Sequence, residues 1–293
     1  MTNKQLTIKR ILIYLFFAFI PPFILQFIYM AVCGVTIQNG WYAPLATVSM
    51  FFPAVANILT RMITKEGFDH CLIKCKDKGD LRYVIIALLL PIVMGILISL
   101  LCAVILMPEG SLNEMIRHFD FWDVLTAVIY VLSISIFGIL QGFGEEFGWR
   151  GYLTPKLEQL MKAPAAIVVS GVIWGLWHAP MIVCGHNFGK DYIFYPYLGI
   201  GMMCISCVFL SFYLTELTKS SHSVLPAAWA HIAINNSVGM VAALILSGTD
   251  NYNEKVVSGW GYPAISVGVI SVTACLTGIF LYLTGKKKAA LSC

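Results

Sequence analysis

Apolar residues along this chain neither alternate nor recur on one helical face. They fill long blocks, separated by short polar stretches that carry most of the charge. The blocks read as Ile11–Cys33, Trp41–Thr60, Tyr83–Met107, a fourth ending near Thr154, Ala165–Cys184, Tyr192–Leu214, Pro226–Ser247 and Tyr262–Thr284. Each approaches or exceeds the ~20 residues that cross a bilayer. Inside hydrocarbon a segment must satisfy its own backbone hydrogen bonds, which selects helix. The pattern therefore predicts an all-α, polytopic membrane protein of about eight transmembrane helices, forming one membrane domain over residues 1–293. Pro21, Pro22 and Pro91 fall inside blocks and are expected to kink them, because proline removes a backbone donor and crowds the preceding turn. The first block is too long for a signal-peptide core and is expected to be a retained span. No internal repeat is evident, which weighs against a transporter built from inverted repeats.

Composition strengthens this reading. Hydrophobic residues make up 59% and charged residues 12% of the chain, against roughly 25% charged in a soluble domain. The net charge of +4 does not imply a nucleic-acid partner, because the basic residues lie between blocks, where they set orientation. Lys4, Lys9, Arg10, Arg61, Lys65, Lys74, Lys76, Lys78, Arg82, Lys156, Lys162, Lys219 and Lys286 to Lys288 fall on one side, and Arg117, Lys190 and Lys255 on the other. Both termini are thus expected in the cytosol, of a bacterial cell. Of the nine cysteines, Cys33, Cys102, Cys184, Cys204, Cys207 and Cys275 lie within or at the ends of apolar blocks, where free cysteine acts as a small hydrophobe. His70, Cys71 and Cys75 share a loop but lack a fourth ligand and zinc-site spacing. The segment Lys156–Lys162 is expected to form a short interfacial helix, and Pro108–Phe121 a solvated connector.

Three polar patterns interrupt the apolar blocks: Glu145-Glu146-x-x-x-Arg150, Trp174-x-x-x-His178 and His231-x-x-x-Asn235. Spacing of four puts each pair on one helix face, so Glu146 and Arg150 are expected to form an ion pair while Glu145 points elsewhere. Pro155 is expected to stop or bend the fourth span. Glu145 is ten residues before it, which at 1.5 Å per residue is about 15 Å into the membrane. Counted the same way from Pro164 and Pro226, His178 lies about 20 Å in and His231 with Asn235 about 8 to 14 Å in. Ionisable groups at such depth face one another or a wet cavity. Glu145 as general base, with His178 orienting the same water, could deprotonate it. His231 and Asn235 could hold the oxyanion formed when that water attacks a peptide carbonyl. Trp174 and Trp177 are expected to be cavity wall or core. Gly171 with Gly175, and the glycines around the acidic pair, would let helices approach closely.

In these three motifs the chain resembles the CPBP family of membrane proteins, which includes the endopeptidase that trims prenylated CAAX proteins and bacterial relatives tied to bacteriocin processing and self-immunity. The resemblance covers residues 122–247. It implies an eight-helix intramembrane protease with Glu145 and His178 activating water, His231 and Asn235 stabilising the oxyanion, and Glu146 with Arg150 beside them. Family members often carry phenylalanine where Trp174 stands. The implied partners are membrane lipid and a peptide or prenylated-protein substrate. A metal-free glutamate mechanism is favoured; the alternative is zinc held by Glu145, His178 and His231, although the His-Glu-x-x-His motif of common zinc proteases is absent. Two other function classes fit the same residues: a non-enzymatic self-immunity or scaffold protein, and a proton-coupled transporter.

Overall fold

The computed structural model describes residues 2–69, 71–73, 81–249 and 260–291, with side chains described as far as residue 285. His70 and Cys75 lie outside these residues. The helices are α1 (Asn3–Cys33), α2 (Tyr42–Ser49), α3 (Phe52–Ile63), α4 (Leu81–Ile105), α5 (Ser111–His118), α6 (Phe121–Gly148), α7 (Thr154–Glu158), α8 (Ala163–Trp177), α9 (Ala179–Val183), α10 (Tyr197–Ser221), α11 (Leu225–Leu246) and α12 (Gly261–Leu291). Among the described residues every regular element is helical.

Among the described residues seven stretches are long and apolar enough to cross a membrane, and Ala163–Trp177 is a shorter apolar helix. Their outward faces carry the large apolar side chains that a hydrocarbon-facing surface needs, among them Phe16, Val32, Phe137, Leu140 and Phe280. The fifth block departs from the expectation of one span. Its helix ends at Trp177, His178 is the cap, and a separate turn of helix follows with Pro180 at its start. A proline ring crowds the carbonyl four residues back, so the helix breaks two residues before Pro180 and leaves His178 at the break. The second block is likewise two helices, α2 and α3, joined at Met50 and Phe51. In contrast, α1 continues through Pro21 and Pro22, and α4 through Pro91.

Pro155 does not end the fourth span. Between α6 and α7 lies a π-helical turn, Trp149–Leu153, in which the Thr154 N–H reaches back to the Trp149 carbonyl. One extra residue in the turn relieves the clash that Pro155 would make in a regular helix. The helix then continues to Glu158, so the expected interfacial helix over Lys156–Lys162 is instead the tail of this span. Its other end starts at an Asp120 capping box, where the Asp120 side chain accepts from the Trp122 and Asp123 N–H groups and Asp123 returns a bond to the Asp120 N–H. The Pro108–Phe121 connector contains α5, which buries Ser111 and Met115.

Helix α11 is the centre of the bundle: it packs mainly on α4 and α6, while α10 packs on α8 and α12, and α1 on α3. Small residues set these distances. A Cβ on Gly142 would sit 2.4 Å from the Ala228 carbonyl oxygen, and one on Gly171 would sit 2.5 Å from the Val208 Cα. Those contacts draw α6 onto α11 and α8 onto α10, which brings three polar motifs on three helices together. The described cysteines are all free, including Cys204 and Cys207.

Candidate active site

Glu146 is the hub of the polar core. It is fully buried, and its Oε1 accepts from Arg150 Nη1 at 2.8 Å and from His231 Nδ1 at 2.6 Å. Arg150 is itself buried, donates through Nη2 to Ser211 Oγ at 2.9 Å, and lays its guanidinium over the Trp174 ring at 4.3 Å. The i,i+4 pair read from the sequence is therefore formed, and it joins α6, the π turn, α10 and α11 in one network. Arginine suits this place because its planar fork serves several acceptors while its face stacks on an aromatic ring.

Glu145 points away from that pair. Its Oε2 accepts from two indoles, Trp174 Nε1 at 2.8 Å and Trp149 Nε1 at 3.2 Å. Its Oε1 lies 3.7 Å from His231 Nε2 and accepts no hydrogen bond among the described residues. One oxygen of Glu145 is thus fixed by rigid donors and the other is left facing an imidazole. Trp174 is more than cavity wall: its N–H holds Glu145, and its ring lies 5.2 Å from His231 and 6.0 Å from His178. Trp177 matches the core expectation, with its N–H on the Ala18 carbonyl at 2.9 Å and its ring against Trp149.

The remaining motif residues sit at the margin of this cluster. His178 is half-buried, and its Nδ1 is 2.9 Å from the Trp174 carbonyl. A carbonyl only accepts, so Nδ1 carries the proton and Nε2 presents a lone pair. Asn235, one turn beyond His231, is exposed and makes no hydrogen bond among the described residues. The structure therefore joins Glu145, Glu146, Arg150 and His231 directly, with His178 tied to them through Trp174, and leaves Asn235 unbonded nearby on the His231 helix. For His231 the same logic holds: Glu146, paired to arginine, accepts at Nδ1, so Nε2 offers a lone pair in the neutral ring and an N–H only in the imidazolium. Among the described residues no three His, Cys, Asp or Glu groups are placed to hold a metal ion. As arranged, Glu145, His178 and His231 do not fit a zinc ligand set, and no step below runs through a metal.

Three supporting groups were outside the motifs. Trp149 follows Glu145 by four residues, just as Arg150 follows Glu146, so that pairing was visible in the spacing. Ser211 and Asn57 had no such signal. Asn57, fully buried on α3, donates through Nδ2 to the Phe147 carbonyl at 2.8 Å and accepts from Arg61 Nε at 2.7 Å. It pins the backbone immediately after the acidic pair.

Helical spans that converge on a buried acid–imidazole cluster define a membrane protein equipped for proton chemistry within its own bundle. Comparison with known proteins makes the class more specific. Residues 126–237 match the family model described as type II CAAX prenyl endopeptidase Rce1-like, a segment that contains all three motifs. The chain is also 26% identical over 180 residues to CAAX prenyl protease 2 of Methanococcus maripaludis, covering 61% of this chain and 63% of that protein. Both similarities agree with the family resemblance that the motifs carry, and the family model matches the segment that holds the site. The match spans less than two thirds of the relative's length.

Proposed function

We propose that this protein is an intramembrane endopeptidase that cleaves a membrane-associated polypeptide near its C-terminus, with Glu145 as the general base. The observation that carries this reading is the unequal treatment of two adjacent carboxylates: Glu146 is ion-paired to Arg150 and bonded to His231 through Oε1, with Oε2 buried and without a partner among the described residues, whereas Glu145 has no cation paired to it, is held by two indoles through Oε2, and turns Oε1 toward an imidazole nitrogen 3.7 Å away. A water held between Glu145 Oε1 and the His178 Nε2 lone pair would give its proton to Glu145 as its oxygen attacks the peptide carbonyl carbon. The oxyanion would be held by Asn235 and by His231 in its imidazolium form, whose Nδ1 already donates to Glu146. Collapse of the tetrahedral species breaks the C–N bond, and the proton on Glu145 passes to the leaving nitrogen. The mechanism needs no metal. The relatives' names point to prenylated substrates; a leader-type peptide fits the same chemistry. In this reading both termini lie in the cytosol, on the side that carries most of the basic residues.

The test is cleavage of paired prenylated and unprenylated peptides by the purified full-length protein in detergent, wild type beside Glu145→Gln and His178→Ala. Loss of general-base catalysis is expected to lower turnover by about 10²- to 10⁴-fold in Glu145→Gln. A Glu145→Gln protein as active as wild type would remove Glu145 from the mechanism. Failure of the wild type to cleave any peptide would favour an immunity or scaffold role instead. Activity lost to a chelator and restored by zinc would overturn the metal-free step.

A further inference from the structure

Helix α1 lies outside residues 126–237, the segment that the family model matches, yet it forms one wall of the polar core. Its buried residues Thr7, Ile11, Tyr14 and Ala18 recur every three or four positions and so share one face of the helix. Tyr14 is fully buried, and its ring meets the Trp149 ring edge-on at 5.9 Å between centroids and the Tyr152 ring at 5.3 Å. Both separations lie where aromatic edges and faces attract. The Tyr14 hydroxyl makes no hydrogen bond among the described residues. What Tyr14 contributes here is its ring.

Trp149 is the group whose placement this decides. Its N–H donates to Glu145 Oε2 at 3.2 Å, and such a bond depends on the angle of the indole that carries it. Two rings pack against that indole: Tyr14, and Trp177 at 6.2 Å, whose own N–H is tied to the Ala18 carbonyl at 2.9 Å. Both are set by α1, one directly and one through Ala18. Tyr14 is held in turn, because Tyr152 donates its hydroxyl to Glu66 at 3.0 Å and Arg10, one turn before Tyr14, is paired with the same carboxylate at 3.3 Å. The other indole on Glu145 is supported differently: the Trp174 ring contacts Arg150, His178 and His231, all within the matched segment.

We propose that Tyr14 is a positioning residue for the cleavage reaction: its ring, with Ala18 holding Trp177, sets the Trp149 indole at the angle from which it donates to Glu145. The proposal rests on the reading of Glu145 as the general base. Tyr14 acts on turnover rather than on substrate binding, since its route to the carboxylate runs through Trp149.

The experiment measures kcat and KM for a cleaved peptide, using the full-length protein in detergent, in wild type, Tyr14→Leu, Trp149→Phe and the double variant. Tyr14→Leu should lower kcat about five- to tenfold with KM changed less than about twofold, the pattern of a misplaced catalytic group. Trp149→Phe deletes the N–H itself and should lower kcat about tenfold. In the double variant Tyr14 has no N–H left to place, so kcat should match that of Trp149→Phe within about twofold instead of falling by the product of the two losses. Tyr14→Phe keeps the ring and should restore kcat to within about twofold of wild type. Where Tyr14→Leu folds poorly, Tyr14→Met, unbranched and without a ring, carries the same comparison. Unchanged kcat on loss of the ring, an effect confined to KM, a Tyr14→Phe loss as large as that of Tyr14→Leu, or losses that multiply in the double variant overturns the proposal and leaves the endopeptidase reading standing. A wild type that cleaves no peptide, or a Glu145→Gln protein as active as wild type, overturns both.

Discussion

The molecule holds two carboxylate clusters built on opposite principles. Inside the bundle, Glu145 and Glu146 meet short, rigid donors: two indoles, a stacked guanidinium and an imidazole, each carried on a packed helix. At the edge of the bundle Glu66, just past the end of α3, gathers Lys156, Tyr152 and Arg10, two of them long chains, and stays partly open to solvent. The contrast shows what burial demands. A carboxylate in a low-dielectric interior needs partners that are held in place, here on one oxygen of each glutamate. At the edge, solvent supplies what the protein does not, and loose partners suffice.

The largest difference should appear when each cluster loses a cation. Arg150→Met leaves Glu146 buried without its ion-pair partner and should cost about 3–5 kcal/mol, read as a lowered unfolding temperature in detergent. Lys156→Met leaves Arg10 and Tyr152 on the Glu66 carboxylate and should cost less, about 1–3 kcal/mol. Equal losses would break the distinction drawn here. Next in size, Asn57→Ala removes the bond to the Phe147 carbonyl and strands Arg61, at a cost of about 1–3 kcal/mol. Activity should fall along with stability, since Phe147 adjoins the acidic pair.

Trp174→Phe sharpens the comparison from the other side. It keeps a ring face for Arg150 and deletes only the N–H on Glu145, so stability should fall by about 1 kcal/mol. Peptide turnover should fall about tenfold, because one of two groups orienting the base is lost. Unchanged turnover would mean that Trp149 alone positions Glu145.

The smallest effect concerns pH. Burial pushes the Glu66 carboxyl up, but the Lys156 ammonium, the Tyr152 hydroxyl and Arg10 outweigh it and hold the group below its ordinary value of 4.5. Stability from this cluster is therefore complete above pH 4.5 and is lost as pH falls through the lower folded-state value. Glu66→Gln should unfold slightly more readily than wild type at neutral pH, and the two should converge on acidification. A gap that persists in acid would mean that Glu66 contributes by shape and neutral hydrogen bonds alone.

Much of this was legible in the sequence, and the reason differs from feature to feature. Apolar block length determined the class of fold, because only helices that satisfy their own backbone can occupy hydrocarbon. Spacing of four determined the Glu146–Arg150 pair and separated Glu145 from it, because that relation is internal to one helix. Pro155 was visible as a disturbance but not in its outcome, whereas Pro180 lay inside a block read as one span. Pro180 broke α8 and set His178 at a helix end; Pro155 was absorbed by a π turn, against which α3, α8 and α10 pack.

Only the tertiary structure decided that Trp174 holds Glu145, that Ser211 and Asn57 support the network from other helices, and that Asn235 stands exposed beyond the hydrogen-bonded cluster. Contacts across helices depend on rotation and crossing distance, which Gly142 and Gly171 permit but do not specify. Periodicity within a chain reaches as far as one helix face. What that face meets is set by the neighbours that close packing brings against it.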